Sequence, residues 1–76
     1  MEISKFIELF AEQFEDTDAS VFEPSTKFRE LDEWSSLVAL SVIAMVDDEY
    51  EVVLKGDDIR GASTIEDLYN VVKSKL

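Results

Sequence analysis

Two serines stand side by side in the stretch "LDEWSSLVAL", at Ser35 and Ser36. A loop-like run precedes them and an apolar, helix-forming run follows, so the pair falls where a helix begins. A hydroxyl at that place has two uses. It can cap the helix by accepting a hydrogen bond from a backbone N–H two or three residues on, worth about 1 kcal/mol. It can also carry a phosphate ester, because the free N–H groups and the positive dipole end of a helix favour an anion. With two serines both roles can be filled. Ser35 is expected to cap, its oxygen reaching the N–H of Leu37 or Val38. Ser36 is expected to be the first helical residue, with its hydroxyl pointing outward.

Neither serine belongs to a familiar hydrolase site. The chain has no histidine and no cysteine. That removes the commonest general base and the commonest metal ligand, and it excludes Ser–His–Asp or Cys–His catalysis, disulfides and thiolate zinc sites. A serine without a base is a poor nucleophile by itself. It can still be the substrate of another enzyme, and the protein is read as a non-enzyme. Other chemistries fail on spacing. A calcium loop starting at Asp16 in "DTDAS" needs Gly and Glu at its sixth and twelfth places, where Val21 and Lys27 stand. "GDDIRGAST" has the spacing of a phosphate loop but continues with Ala62-Ser63 in place of Lys-Ser/Thr. No spacing marks two carboxylates as a catalytic pair.

The elements that must position Ser36 follow from hydrophobic periodicity. In "ISKFIELFAEQFE", Ile3, Phe6, Ile7, Phe10 and Phe14 recur at helical spacing and predict a first helix. "DTDAS" breaks it, and Pro24 keeps Glu23 out of helical geometry. A long connection from Asp16 to Trp34 follows, pinned to the core by Val21, Phe22, Phe28 and Leu31. Loops this long in small domains are often functional. The second helix is predicted from Ser35 or Ser36 to about Glu51, with Leu37, Leu40, Ile43, Val46 and Tyr50 facing inward. Val38, Val42 and Met45 widen its apolar surface, so it is either central in a bundle or exposes a contact patch. "DDEY" closes it with acids, the wrong sign for the macrodipole. A short helical segment around Ile59 lies between Gly56 and Gly61. "STIEDLYNVVKSKL" predicts a last helix with Ile65, Leu68, Val72 and Leu76 inward, opened by Thr64 and Asp67 as a capping box. The β-branched "EVVLK" has no strand to pair with. The expectation is an all-α fold, a small four-helix bundle of three main helices plus one short one, in a single domain over residues 1–76.

Charge narrows the partners. The net charge is −11, and from Glu30 to Leu54 there are seven acidic residues and no lysine or arginine. Such a surface repels phosphate backbones, which argues against nucleic acid, and attracts basic protein patches over long range. The same block read plainly is a solvated face. The apolar runs are far shorter than a bilayer span and no signal peptide opens the chain, so a cytoplasmic protein with no membrane span is expected.

Taken together, Ser36-Leu37 at a helix start, the apolar Val42, Ile43 and Val46, "DDEY" from Asp47 to Tyr50, and "STIEDLYNVV" resemble an acyl carrier protein. Length, charge and helix order agree with that family over the whole chain. The resemblance implies a phosphopantetheine arm on Ser36, placed there by a phosphopantetheinyl transferase, with acyl intermediates held as thioesters for fatty acid, polyketide or related specialised acyl synthesis. It also implies transient docking on acyl-processing enzymes with basic patches, through Leu37, Val38 and Met45 as apolar contacts and Asp47 and Asp48 as steering charges, by a carrier expected to be monomeric. The sequence departs from the family at several places. Ser35 stands where the family has Asp, "DEWS" replaces a tight Gly-containing turn, and Val38 and Ser41 replace frequent acids. These departures point to a specialised pathway. A reading from another class stays open: an acidic helical interaction module, unmodified, in which Ser35-Ser36 is only a cap.

Overall fold

Helix-forming residues with isoleucines and phenylalanines three and four apart open the chain, and the first helix forms there to bury them. A computed structural model describes residues 2–76. Among the described residues there are four α-helices and no strand: α1 Ile3–Ala11, α2 Ser36–Tyr50, α3 Gly56–Gly61 and α4 Ile65–Ser74. Three main helices and one short one match the expected bundle. α1 packs against both α2 and α4, and α3 packs against α4. Phe6, Phe10, Phe28, Val42, Val46, Ile65, Leu68 and Val72 are fully buried between them. The aromatics meet mainly edge to face or tilted, as ring quadrupoles prefer, with Phe10 and Phe28 at 5.4 Å and 68°.

Two boundaries differ from the sequence pattern. The periodicity of α1 runs on to Phe14, but the helix stops at Ala11. Its last turn tightens into i→i+3 bonds, Gln13 N–H to Phe10 and Phe14 N–H to Ala11, both at 3.1 Å. Phe14 still reaches the core from outside the helix, tilted against Phe22 and stacked on Trp34. In α2 the inner face is rotated from the expected stripe. Val42, Met45 and Val46 are buried, with Val38, Ile43 and Tyr50 packed beside them, whereas Leu37 and Leu40 point to solvent. The helix is apolar on nearly every side, so periodicity cannot phase it; packing against α1 does.

The connection from Asp16 to Trp34 is held rather than loose. Two short 3₁₀ turns, Ala19–Val21 and Phe28–Glu30, punctuate it. Phe22 and Phe28 are buried and Leu31 packs on the core, but Val21 is exposed and pins nothing. The carbonyls of Thr26 and Pro24 accept from the first-turn N–H groups of Ile65 and Glu66, at 3.1 and 2.9 Å. These are donors that α4 cannot satisfy internally. The predicted capping box is present as well: Thr64 Oγ1 accepts from Asp67 N–H and Asp67 Oδ2 accepts from Thr64 N–H. In the segment 52–54, Val52 and Leu54 are buried and Val53 between them is exposed. It works as a two-point anchor with strand-like alternation.

Candidate functional site

The site is built from the turn that delivers the chain into α2. "LDEW" closes on itself, with the Trp34 N–H donating to the Leu31 carbonyl at 3.0 Å. Trp34 then packs edge to face on Phe28 at 5.0 Å and stacks on Phe14 at 6.3 Å. Glu33 turns back to the segment that follows α1. Its carboxylate accepts from the backbone N–H of Glu15, Asp16 and Thr17 and from the Thr17 hydroxyl, over 2.6–3.0 Å. The Thr17 hydroxyl, and then the backbone donors, hold the Glu33 carboxyl below its ordinary pKa. Sequence reasoning missed this clamp. A glutamate pairing with residues 16 to 18 positions earlier leaves no local signature.

After this clamp the backbone enters α2 through Ser35, extended at φ −156° and ψ 172°. Ser35 Oγ accepts from the Val38 N–H at 3.2 Å, and the Ser35 carbonyl accepts from the Ala39 N–H at 2.9 Å. The cap expected of Ser35 is therefore in place. Ser36 is the first residue of α2, is exposed, and its side chain makes no hydrogen bond among the described residues. One serine's oxygen is engaged, and the other's is open to a reagent from outside. The N–H groups of Ser36 and Leu37 lie in the first turn, ahead of any intrahelical carbonyl, and the first turn carries no acid. An anion ester on Ser36 fits this helix start.

The other candidate residues fall on two sides of α2. Leu37 is 77% exposed, and Asp47 and Asp48 are exposed at the far end. Val38 is half-buried, with its outer edge accessible. Against its expected place in the contact surface, Met45 is 7% exposed and packs inward with Val42 and Val46. With the inner face fixed at Val38, Val42, Met45 and Val46, the outer face passes through Leu37, Leu40, Ala44 and Asp48. Leu40, expected inside, is 61% exposed and takes the surface position. Beside Ser36 a groove of about 570 Å³ opens between α2 and α3, lined by Ser35, Ser36, Ala39, Leu40 and Ile43 from α2 and its cap and by Gly56, Ile59 and Arg60 from α3, together with Trp34 and Arg29.

No helix among the described residues is long and apolar enough to cross a membrane. No curated protein and no solved structure matches the chain. A family model described as the phosphopantetheine attachment site matches residues 4–72, nearly the whole chain. The chain therefore belongs to the phosphopantetheine attachment site family, whose carrier domains hold a covalent 4'-phosphopantetheine and are loaded by phosphopantetheinyl transferases and served by acyl-processing enzymes.

Proposed function

We propose that Ser36 is the attachment residue and that the chain is a non-catalytic carrier of acyl groups in a specialised pathway. The observation that carries this reading is the division between the serines, with the Ser35 oxygen on the Val38 N–H and Ser36 exposed and unengaged at the start of α2. In priming, Ser36 Oγ forms the new ester bond to a phosphorus of coenzyme A, the pyrophosphate P–O bond breaks, and the nucleotide half leaves. The chain has no histidine and no carboxylate hydrogen-bonded to Ser36, so the base that takes the hydroxyl proton belongs to the transferase. Once attached, the arm supplies a terminal thiol on which an acyl group is held as a thioester. The protein's own contribution is to raise the local concentration of that cargo at each enzyme it visits.

Docking follows from the outer face of α2. Leu37 and Leu40 lie next to Ser36, with the edge of Val38 beside them, and Asp47 and Asp48 follow two to three turns later. A basic enzyme patch would be steered by the acids and held briefly by the leucines. The uncharged Ser35 ahead of Ser36, with no acid in the first turn of α2, supports partners other than those tuned to an Asp-Ser pair.

Incubation with coenzyme A and a broad-specificity transferase tests the reading. Intact mass is expected to rise by one phosphopantetheine per chain, and with an acyl-coenzyme A by the acyl group as well, the acyl mass being removed by hydroxylamine. A protein that gains no mass with any transferase would be the acidic interaction module instead.

A further inference from the structure

Ser36 begins α2 well ahead of the part of the helix that packing holds. The first buried residue of α2 is Val42. It lies nearly two turns later, ~9 Å along the axis at 1.5 Å per residue. Between the two, Leu37, Leu40 and Ser41 are exposed, and Val38 and Ala39 are half-buried. Hydrophobic packing therefore fixes the middle of α2. The orientation of its first turn is left to whatever holds the chain just before it.

Two adjacent residues do the holding. Trp34 stacks on Phe14, and Glu33 accepts from the N–H groups of Glu15, Asp16 and Thr17 and from the Thr17 hydroxyl. One short stretch, residues 14–17, is thus gripped by an indole and a carboxylate at once. Other hydrogen-bonded carboxylates act locally: Asp18, Asp57, Asp58 and Asp67 accept from donors two to four residues away. Glu33 reaches back 16 to 18 residues. It does so among like charges, since Glu15 and Asp16 are acids themselves. Among the described residues no lysine or arginine pairs with it. Directed N–H donors hold it there, and such bonds are stronger toward a charged acceptor.

We propose that Glu33 is a positioning residue for the priming of Ser36. In that step Ser36 Oγ forms a P–O bond while the pyrophosphate P–O bond of coenzyme A breaks, and the hydroxyl proton passes to the transferase. The attacking and leaving oxygens must lie roughly in line. Glu33 acts through the turn: it fixes Trp34 and Ser35, and Ser36 then presents its hydroxyl in one direction. Misplacing a reacting group by about 1 Å can cost ~10²-fold in rate, so a loosened turn is felt in the chemical step. Asp47 and Asp48, which steer docking, follow the part of α2 that Val42 and Val46 anchor and stay in place. This inference rests on the reading that Ser36 bears the arm. It adds a residue that controls how fast the arm is attached.

Priming by a broad-specificity transferase with coenzyme A is followed by intact mass. The constants kcat and KM for the carrier are measured for wild type, Glu33→Gln, Thr17→Val, Thr17→Ser and Thr64→Ala, each shown by circular dichroism to be folded at the assay temperature. Thr64→Ala removes the cap of α4 and controls for lost stability alone. Glu33→Gln is expected to lower kcat roughly tenfold with KM unchanged, the pattern left by losing an interaction that counts only in the transition state. Thr17→Val is expected to lower kcat by less. Thr17→Ser, which keeps the hydroxyl, should recover the wild-type value, and Thr64→Ala should not depart from it. A raised KM with unchanged kcat in Glu33→Gln would overturn the proposal, since the clamp would then serve docking. Unchanged constants would overturn it as well. So would an equal fall of kcat in Thr64→Ala, because stability alone would then explain the effect. If Glu33→Gln does not fold, Thr17→Val decides on the same criteria. A wild-type chain that takes no mass overturns the assignment of Ser36 and this inference together, whereas clamp variants primed as readily as a primed wild type overturn this inference alone.

Discussion

Glu33 holds Thr17 twice, accepting from its backbone N–H at 2.9 Å and from its hydroxyl at 2.7 Å on one carboxylate oxygen. The contact ties the start of the connection after α1 to the turn that begins α2. Trp34, the next residue, is thereby seated on Phe14 and Phe28, and Ser35 and Ser36 follow in fixed order. Where a small domain has a thin core, such a polar clamp positions a site that hydrophobic packing reaches only from one side.

Glu33→Gln is expected to lower the melting temperature at neutral pH, because an amide offers one acceptor oxygen and no charge for four donors. The sign of the pH effect follows from the lowered pKa of Glu33. A carboxyl whose folded pKa lies below its unfolded value stabilises fully above the unfolded value, about 4.3 for glutamate. That contribution is lost as pH falls through the lower folded pKa. Thermal melts of both proteins across the acid range should show a gap at neutral pH that closes below the folded pKa. A gap that persists unchanged in acid would mean that shape, not charge, makes the clamp.

Ser35→Ala removes the oxygen that meets the Val38 N–H and is expected to cost about 1 kcal/mol in a denaturant titration. Ser35→Asp keeps the cap and adds a negative charge to a first turn that has none, with a gain of about 0.3–1 kcal/mol. It is also expected to be primed faster by a general transferase adapted to Asp-Ser-Leu. Equal or slower priming of Ser35→Asp would direct attention to the "DEWS" turn as the source of selectivity.

Much of this architecture can be read from residue order alone. The apolar spacing in α1 and α4, the Thr64–Asp67 box and the Ser35 cap are local features, encoded within one or two turns. The phase of α2 is not local. Its apolar residues cover most of the helix, and only packing against α1 decides that Met45 turns in while Leu40 turns out. The Glu33 clamp and the meeting of Arg29 with Arg60 at one groove join residues far apart in sequence, so no periodicity announces them.

Glu51 caps α2 in the left-handed region, at φ 56° and ψ 36°, where its N–H closes on the Asp47 carbonyl at 3.0 Å. A residue with a Cβ is strained there, and glycine is the usual occupant. Glu51→Gly is expected to raise stability by about 0.5–1 kcal/mol after its greater unfolded-state entropy is counted. Glu51→Asn, which tolerates the same backbone without the charge, should gain less than glycine. Denaturant midpoints of the three proteins decide it. A loss in Glu51→Gly would mean that Glu51 makes a compensating contribution through its side chain.

Asp47 and Asp48 are exposed at the C-terminal end of α2. If they steer basic enzymes, the double variant Asp47→Asn with Asp48→Asn should slow association with the transferase and flatten its salt dependence while leaving the far-ultraviolet circular dichroism unchanged. Exposed charge is screened over about 8 Å at physiological ionic strength, so stopped-flow rates at low salt should show the largest difference. An on-rate unchanged in dilute buffer would reduce the acids to a solvated face.

The assignment of the arm to Ser36 is tested most directly by fragment mass spectrometry of the primed chain, run beside Ser36→Ala and Ser35→Ala. The account predicts that the added phosphopantetheine maps to Ser36, that Ser36→Ala takes no mass, and that Ser35→Ala, though less stable, is still modified. Added mass on Ser35, or a Ser36→Ala protein that is still primed, would contradict it.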